Sequence, residues 1–233
     1  VHQLAAGVVQ QPDTVLAEGQ RLGIDGTPIM KNIIFDLGGV VVEWNGERVI
    51  NSFEGDPTLI MYIKSNGFFK DYWTAFDKGM LEREELVNKV ALLTGIPAEE
   101  CDAFVEHVKL SLKPIPETEA LIKELSAKGY KLYCLSNMSL DFYDYLKTRE
   151  VFKYFDGQVI SAIEHMVKPD REIYDLILQR YQLKPKESLF IDDLEANIKA
   201  AQALGINTVH FSDKQKGNKE VKERLGIKVS FQL

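Results

Sequence analysis

Short apolar runs alternate with amphipathic segments over most of this 233-residue chain. Runs bounded by turn-forming residues predict strands at 31–36, 130–135, 156–160, 188–192 and 206–211. Apolar residues at helical spacing predict helices at 117–128, 170–182 and 194–204. Because strands that alternate with helices pair in parallel through right-handed crossovers, the pattern predicts an α/β fold with a doubly wound, Rossmann-like parallel sheet.

A long interval without strand patterning separates the first predicted strand from the second. Its apolar spacing predicts helices near 46–53, 67–77, 82–94 and 98–112. A helical insertion after the first strand of an open sheet lies above the carboxyl ends of the strands, where ligands bind in such folds. We therefore predict a small α-helical cap at 45–114, inserted into an α/β core formed by 30–44 and 115–233.

Residues 1–29 differ from the rest of the chain, because glycines and prolines interrupt any long element there. The mildly apolar stretch at its start has no cationic segment before it, so the pattern does not favour a secretory signal. We predict an N-terminal extension, and no motif assigns it a role.

Charge and cysteine usage narrow the classes of partner. Lys and Arg number 28 against 35 Asp and Glu, a formal net charge of −7, which does not favour a nucleic-acid binder. No apolar run approaches the ~20 residues that span a bilayer. The two cysteines, Cys101 and Cys134, form no CxxC pair and suggest a reducing compartment. We predict a cytoplasmic protein without nucleic-acid or membrane partners, and no pattern indicates its oligomeric state.

Carboxylate, hydroxyl, amide and amine groups collect where the predicted strands end. These residues are Asp36, Ser136, Asn137, Lys168, Asp192 and Asp193. In a doubly wound sheet they would converge on one rim, although they are far apart in sequence. Three carboxylates are costly to bury unless a cation balances them, and oxygen ligands of this kind suit Mg²⁺. The pattern predicts Mg²⁺-assisted chemistry on a phosphate, with Asp36 free to act as a nucleophile.

Four short motifs carry these residues: FDLGGVV at 35–41, LSN at 135–137, VKPD at 167–170 and FIDDLEAN at 190–197. Together they resemble, in order and spacing, the four motifs of the haloacid dehalogenase-like (HAD) hydrolases. The segments EWN at 43–45 and WTAFDKG at 73–79 further resemble the branch that contains glucose-1-phosphate phosphatase-like proteins and the N-terminal phosphatase domain of soluble epoxide hydrolase.

The resemblance implies a phosphatase that hydrolyses a small phosphorylated metabolite, in particular a sugar phosphate such as a hexose 1-phosphate. It implies that Asp36 attacks phosphorus and forms an aspartyl-phosphate. Ser136 and Lys168 would assist catalysis and bind the phosphoryl group, together with Asn137. We expect Trp44 to contact substrate as well, whereas other aromatic residues of the helical interval should pack within it: Phe68, Phe69, Tyr72, Trp73 and Phe76.

The same resemblance implies a Mg²⁺ site. Its ligands would be the carboxylates of Asp36, Asp192 and Asp193 and the backbone carbonyl of Gly38. Asn197, one helical turn past Asp193, would orient the Asp193 carboxylate.

One position departs from the common phosphatase pattern Asp-x-Asp. Gly38 stands where the second aspartate would protonate the leaving oxygen and then activate water, help that is typically worth ~10²–10⁴-fold in rate. Side chains from elsewhere would have to supply this function, and the candidates are Asp77, Glu43 and His165.

Other functions are compatible with the same motifs. A catalytically silent phosphate-binding or regulatory protein is favoured only by Gly38. A haloacid dehalogenase would share Asp36, Ser136, Asn137 and Lys168 but needs no Mg²⁺ and no paired acidic motif. A phosphomutase would require the acid–base aspartate that Gly38 replaces.

Overall fold

A computed structural model describes residues 29–65 and 72–228. Five strands form one sheet: β1 (Asn32–Phe35), β2 (Lys131–Ser136), β3 (Gly157–Ile160), β4 (Ser188–Asp192) and β5 (Asn207–His210). Their spatial order is β3-β2-β1-β4-β5, and every neighbouring pair is parallel. The order reverses beside β1, which places the ends of β1, β2 and β4 next to one another.

Helices fill the intervals between the strands. Those of the described residues are α1 (Gly46–Asn51), α2 (Pro57–Ser65), α3 (Trp73–Asp77), α4 (Arg83–Thr94), α5 (Ala98–Ser111), α6 (Pro116–Ala127), α7 (Leu140–Leu146), α8 (Ser161–Glu164), α9 (Arg171–Arg180), α10 (Glu195–Ala203) and α11 (Lys214–Arg224). Two short 3-10 helices, Glu150–Tyr154 and Pro185–Glu187, complete the connections.

Both faces of the sheet are buried, as the apolar strands predict. Ile33 and Phe35 of β1 face one apolar cluster, to which α6 and α11 contribute, while Ile34 faces a second cluster with residues of α9 and α10. Alternate residues of one strand thus pack against helices on opposite sides. The predicted α/β fold with a doubly wound parallel sheet is confirmed.

Helices α1 to α5 lie between β1 and α6 and form the helical insertion that the strandless interval predicts. An aromatic cluster joins this insertion to the rest of the protein. Trp73 and Phe76 of α3 pack edge-on against each other and against Phe142 of α7, with ring centroids 5.4 to 5.7 Å apart. The two aromatic residues of α3 therefore contact a helix that follows β2 rather than packing only within the insertion.

Several helices differ from the sequence-based expectation. Helices α2, α7 and α8 were not predicted, although side-chain caps mark the first two. The Asp56 carboxylate accepts the Thr58 and Leu59 backbone N–H groups at α2, and the Ser139 hydroxyl accepts that of Phe142 at α7. These short helices lack the extended apolar periodicity on which the prediction relied.

Some expectations fall on parts of the chain that the structure does not describe. The predicted N-terminal extension lies outside the described residues up to position 28, as do Phe68, Phe69 and the first part of the helix predicted at 67–77. Within residues 29–65 and 72–228, no helix combines the length and apolar character needed to cross a bilayer.

Candidate active site

The candidate site lies where β1, β2 and β4 end. Phe35 is in register with Cys134 of β2 and Ile191 of β4, so the residues that follow each strand emerge at the same height. Asp36 comes directly after β1, and its backbone N–H donates to the Ile191 carbonyl at 2.9 Å. Parallel pairing alone therefore brings together groups that are more than 150 residues apart in sequence.

Three carboxylates form the centre of this site. Asp36, Asp192 and Asp193 each offer an oxygen, and these atoms lie within 4.8 Å of one another. The ammonium group of Lys168 lies between two of them, with Nζ 2.9 Å from Asp36 Oδ1 and 2.5 Å from Asp192 Oδ2. The side chains of Lys168 and Asp192 are almost fully inaccessible to solvent, at 1% and 0% exposure. A single buried cation thus faces three acidic groups.

Asn137 holds the backbone of Lys168. Its Oδ1 accepts the Lys168 N–H at 2.8 Å, and its Nδ2 donates to the Lys168 carbonyl at 2.9 Å. Lys168 Nζ also lies over the Phe190 ring, 5.5 Å from its centroid. The Asn137 side chain therefore positions Lys168. Because that side chain is engaged, the backbone N–H of Asn137 is the group of this residue that could contact a ligand in the cavity.

Asn197 contacts a different aspartate from the one expected. Its Nδ2 lies 2.9 and 3.0 Å from the two oxygens of Asp192, not against Asp193, so that prediction is wrong. Asp192 Oδ1 also accepts the Leu194 backbone N–H at 2.8 Å. Because Asp192 ends β4 with its side chain toward the start of α10, the fully buried carboxylate needs these donors, and the partly exposed Asp193 carboxylate stays open to the cavity.

Two consecutive glycines let the loop after Asp36 approach the acidic groups. Gly39 has φ of +74°, and a Cβ atom there would lie 2.7 Å from Asp193 Cγ. At Gly38, a Cβ would meet Trp44 Cβ and Cγ at 3.7 Å. These are ordinary van der Waals distances, so Trp44 borders the position of a side chain at residue 38 without excluding one.

The burial and the negative charge of the site raise the pKa values of two of its carboxyl groups. Burial raises the pKa of Asp36 to about 7, and repulsion from Asp192 and Asp193 adds to this, although Lys168 opposes it. Burial and Asp192 likewise raise the pKa of Asp193 to about 6. A cation close to these carboxylates would lower their pKa values, because it favours the charged form.

This donor set fits Mg²⁺. Clustered carboxylate oxygens, without His or Cys among them, are ligands that this hard cation prefers, and their spacing allows several to reach one ion. Asp36, Gly38 and Asp193 line the cavity and could hold it. Asp192, which the resemblance also implies as a ligand, does not line the cavity, and its oxygens contact Lys168 and Asn197.

A cavity of about 310 Å³ opens above the carboxylates. Its polar lining consists of Asp36, Gly38, Asp77, Asn137, Lys168, Asp193 and Asn197. Its apolar lining consists of Trp44, Trp73, Leu112, Met138, Phe142 and Leu194. The inserted helices and the loops after β2 and β4 both contribute, so the insertion covers the ends of the strands.

The sequence-predicted residues divide clearly between this cavity and other surroundings. Trp44 and Asp77 both line the cavity, and substrate contact by Trp44 stays a prediction. Glu43 instead pairs with Arg48 at 3.0 Å and with Lys214, and exposed His165 contacts the Lys78 carbonyl at 3.1 Å. Neither Glu43 nor His165 is among the described residues that line the cavity. Of the three acid–base candidates, only Asp77 reaches it.

Ser136 occupies an unusual position among the site residues. It ends β2 beside Asp36 and is fully buried, yet its hydroxyl has no hydrogen-bond partner among the described residues. Buried hydroxyl groups are normally paired, so this one is suited to donate to an oxygen of a bound ligand.

Sequence reasoning did not identify the apolar wall formed by Leu112, Met138 and Phe142. Phe142 belongs to α7, a helix that the periodicity did not predict. The Ser139 cap and Asp141 in the first turn were the available signals, since serine caps and early acidic residues are typical of helix starts.

Comparison with known proteins agrees with this architecture. A sesquiterpene phosphatase of Aspergillus oryzae is 29% identical over 197 residues, which cover 84% of this chain and 97% of that protein. A D-ribitol-5-phosphate phosphatase of Bacteroides thetaiotaomicron is 26% identical over 198 residues, covering 77% and 91% of the two chains.

A solved structure shares the fold as well. A HAD family enzyme of Bacteroides thetaiotaomicron, in complex with magnesium and inorganic phosphate, superposes with a TM-score of 0.62 at 27% identity, covering 77% of this chain and 92% of that one. Magnesium binding by this relative agrees with the carboxylate site found here. Residues 30–205 match the haloacid dehalogenase-like hydrolase family. Because that match spans about three quarters of the chain and includes strands β1 to β4, this protein belongs to the haloacid dehalogenase-like hydrolase family.

Proposed function

We propose that this protein is a Mg²⁺-dependent phosphatase that hydrolyses a small phosphorylated metabolite through attack of Asp36 on phosphorus. The observation that carries the proposal is the position of Asp36. Its carboxylate borders the cavity, pairs with the buried Lys168 at 2.9 Å, and lies within a cluster of acidic oxygens suited to Mg²⁺. Similarity to two phosphatases supports the same reaction class.

In this proposal the protein's own groups divide the work. Asp36 attacks phosphorus and becomes an aspartyl-phosphate, which water then hydrolyses. Lys168 neutralises charge on Asp36 and on the transferring group, and the Ser136 hydroxyl donates to a phosphoryl oxygen. Bound Mg²⁺, held by Asp36, Asp193 and the Gly38 carbonyl, would supply further positive charge for the phosphoryl oxygens.

We propose that residues 45–114 act as the cap of this site. Trp73 and Leu112 bring apolar surface from this part of the chain to the cavity, and Trp44 adds to it from the position directly before the cap. Such a cap excludes water around the phosphoryl group and contacts the part of the substrate that differs between substrates.

Two substrate classes follow from different observations. A sugar phosphate, such as a hexose 1-phosphate, is suggested by the motif resemblance and by the D-ribitol-5-phosphate phosphatase. The phosphate monoester of an apolar alcohol is favoured by the wall of Trp44, Trp73, Leu112, Met138 and Phe142, and the sesquiterpene phosphatase relative supports it. An apolar wall discriminates against hydroxyl-rich groups because it leaves them without hydrogen-bond partners.

A panel of phosphate esters tests the proposal. Phosphate release would be measured from hexose 1-phosphates, a pentitol phosphate and a sesquiterpenyl monophosphate, with Mg²⁺ and with EDTA. We expect release that requires Mg²⁺ and disappears in Asp36→Asn but persists in Asp175→Asn, an exposed aspartate on α9. The preferred ester identifies the substrate class.

Two alternatives have distinct results in the same assays. A silent phosphate-binding protein would show a rise in melting temperature with Mg²⁺ and a phosphate mimic but no turnover of any ester. A haloacid dehalogenase would release halide from a 2-haloacid without metal. The three clustered carboxylates favour the phosphatase over the dehalogenase, since the latter has no need of a metal site.

A further inference from the structure

In the proposed phosphatase reaction, no side chain has yet been assigned to move the proton that the leaving oxygen gains and the attacking water loses. An alcohol leaves phosphorus readily only when its oxygen is protonated, and water attacks the aspartyl-phosphate more readily when a base accepts its proton. Gly38 provides no side chain for either step. The following inference rests on the proposed function and asks which residue moves this proton.

Asp77 is the carboxylate that the inserted helices bring to the cavity. It ends α3 and lines the same cavity as Asp36 and Gly38. Its Oδ1 accepts the Ser139 backbone N–H at 3.1 Å, and its backbone carbonyl accepts the Ser161 hydroxyl. Both contacts come from segments that follow β2 and β3, so Asp77 is held against the strand ends although it belongs to the insertion.

The surroundings of Asp77 contain few other groups that could take its place. Asp36 and Lys168 line the cavity with it but pair with each other at 2.9 Å, and Asp193, which also lines the cavity, is one of the groups proposed to hold Mg²⁺. His165 lies near the end of α3 through its contact with the Lys78 carbonyl, yet it is exposed and outside the cavity lining. Glu43 is occupied by two cations on another face.

We propose that Asp77 is the general acid and base of the reaction. As Asp36 forms its bond to phosphorus, the phosphorus–oxygen ester bond breaks and Asp77 gives its proton to the departing alkoxide oxygen. A water molecule then attacks the same phosphorus and passes a proton to the Asp77 carboxylate. The bond between phosphorus and Asp36 breaks, which releases inorganic phosphate and returns both aspartates to their starting states.

The environment of Asp77 is compatible with this exchange. Burial raises the pKa of its carboxyl well above the usual range, the negative charge of Asp36 raises it further, and the Ser139 N–H opposes both. A raised pKa favours the protonated form of the carboxyl, which is the form that a general acid needs.

The test compares leaving groups in Asp77→Asn. The best alcohol phosphate of the wild-type panel needs a proton on its leaving oxygen, so we expect its kcat to fall about 10²–10⁴-fold. p-Nitrophenyl phosphate needs none, so we expect one rapid equivalent of p-nitrophenol per site, followed by slow turnover while phosphate stays bound to the protein. We expect Glu43→Gln and His165→Gln to keep wild-type kinetics.

Each remaining result is decisive. Wild-type turnover of the alcohol phosphate by Asp77→Asn, or equal losses on both substrates without a burst, overturns the role of Asp77. If Asp77→Asn does not fold, Asp77→Glu replaces it: a displaced alkaline limb of the pH–rate profile supports the inference, and an unchanged limb overturns it. If the wild type itself releases no phosphate from any ester, the proposed phosphatase function fails first and independently.

Discussion

Asp193 is open to a ligand because its neighbour across the site is a glycine. The left-handed backbone of Gly39 turns the loop after Asp36 back toward the carboxylates, and no Cβ atom stands between them. Asp192, by contrast, is closed off by Lys168, Asn197 and the start of α10. Two consecutive aspartates thus have different roles, one exposed to the cavity and one positioning the buried lysine.

We expect Gly39→Ala to weaken the use of Mg²⁺ by about 10- to 100-fold, because the new Cβ would displace the Asp193 carboxylate. The measurement is the Mg²⁺ concentration that gives half-maximal phosphate release. Gly95→Ala is the matched control, since Gly95 has φ of +71° and no described atom within 4 Å of an added Cβ.

Both alanine variants share the backbone cost of a left-handed residue, about 1–2 kcal/mol in the free energy of unfolding. Only Gly39→Ala also disturbs the acidic cluster. Equal Mg²⁺ requirements in the two variants would show that Gly39 matters for the turn alone and not for its approach to Asp193.

At the scale of elements, an ion-pair cluster joins the insertion to the core. Arg83 at the start of α4 donates to Asp102 of α5 at 2.7 Å and to Asp141 of α7 at 3.0 Å. Glu106 and Lys109 of α5 complete the cluster. Together with the aromatic contacts between α3 and α7, these pairs fix the inserted helices over the ends of the strands.

We expect Arg83→Met to lower the free energy of unfolding by about 1 kcal/mol, because Asp102 loses its ion pair with Arg83, and Glu106 and Asp141 then share Lys109. The partners are 32% to 46% exposed, so solvent screens much of the interaction and 1 M NaCl should reduce the loss. Urea unfolding at low and high salt measures both effects.

Arg171→Met is the control for this variant. Arg171 forms a single exposed pair with Asp175 within α9 and joins no two elements. A loss as large in Arg171→Met as in Arg83→Met, or a loss that salt does not change, would contradict a stabilising network between the insertion and the core.

At the scale of the whole molecule, the site concentrates negative charge inside a protein whose net charge is already −7. The raised pKa values of Asp36 and Asp193 mean that the metal-free folded state holds protons that the unfolded chain has released, since an unfolded aspartate has a pKa near 3.9. These two groups therefore favour folding at low pH, and that contribution is lost as pH rises from about 4 to about 7.

We expect metal-free Asp36→Asn to become more stable than metal-free wild type as pH rises through this range, by on the order of 2 kcal/mol at pH 8. The amide of the variant carries no charge, so it is not repelled by Asp192 and Asp193 as the Asp36 carboxylate is. Thermal unfolding in EDTA at several pH values measures the difference, and Asp175→Asn is the control that should show no such trend.

With Mg²⁺ present, we expect the wild type to be more stable than Asp36→Asn. Because the ion competes with protons for the same oxygens, its stabilising effect should grow as pH rises through about 6 to 7. Stabilisation by Mg²⁺ that is independent of pH, or equal in Asp36→Asn, would contradict a site built on these carboxylates.

Much of the fold follows from short-range pattern. The strands and the core helices were predicted within a few residues of their bounds, because buried parallel strands are nearly continuous apolar runs and their helices carry one apolar face. The short helices α2, α7 and α8 were not predicted, since they depend on caps and on packing against neighbours rather than on long periodicity.

The sequence by itself determined the sheet, the helical insertion, the family and the set of polar residues at the strand ends, because strand periodicity and motif order are local properties of the chain. Only the tertiary structure decided how those residues share the site. It assigned Asn197 to Asp192, directed Glu43 and His165 away from the cavity, and brought Asp77 into it. Contacts of this kind depend on how helices and loops pack on the ends of the strands, and that packing involves segments distant in sequence.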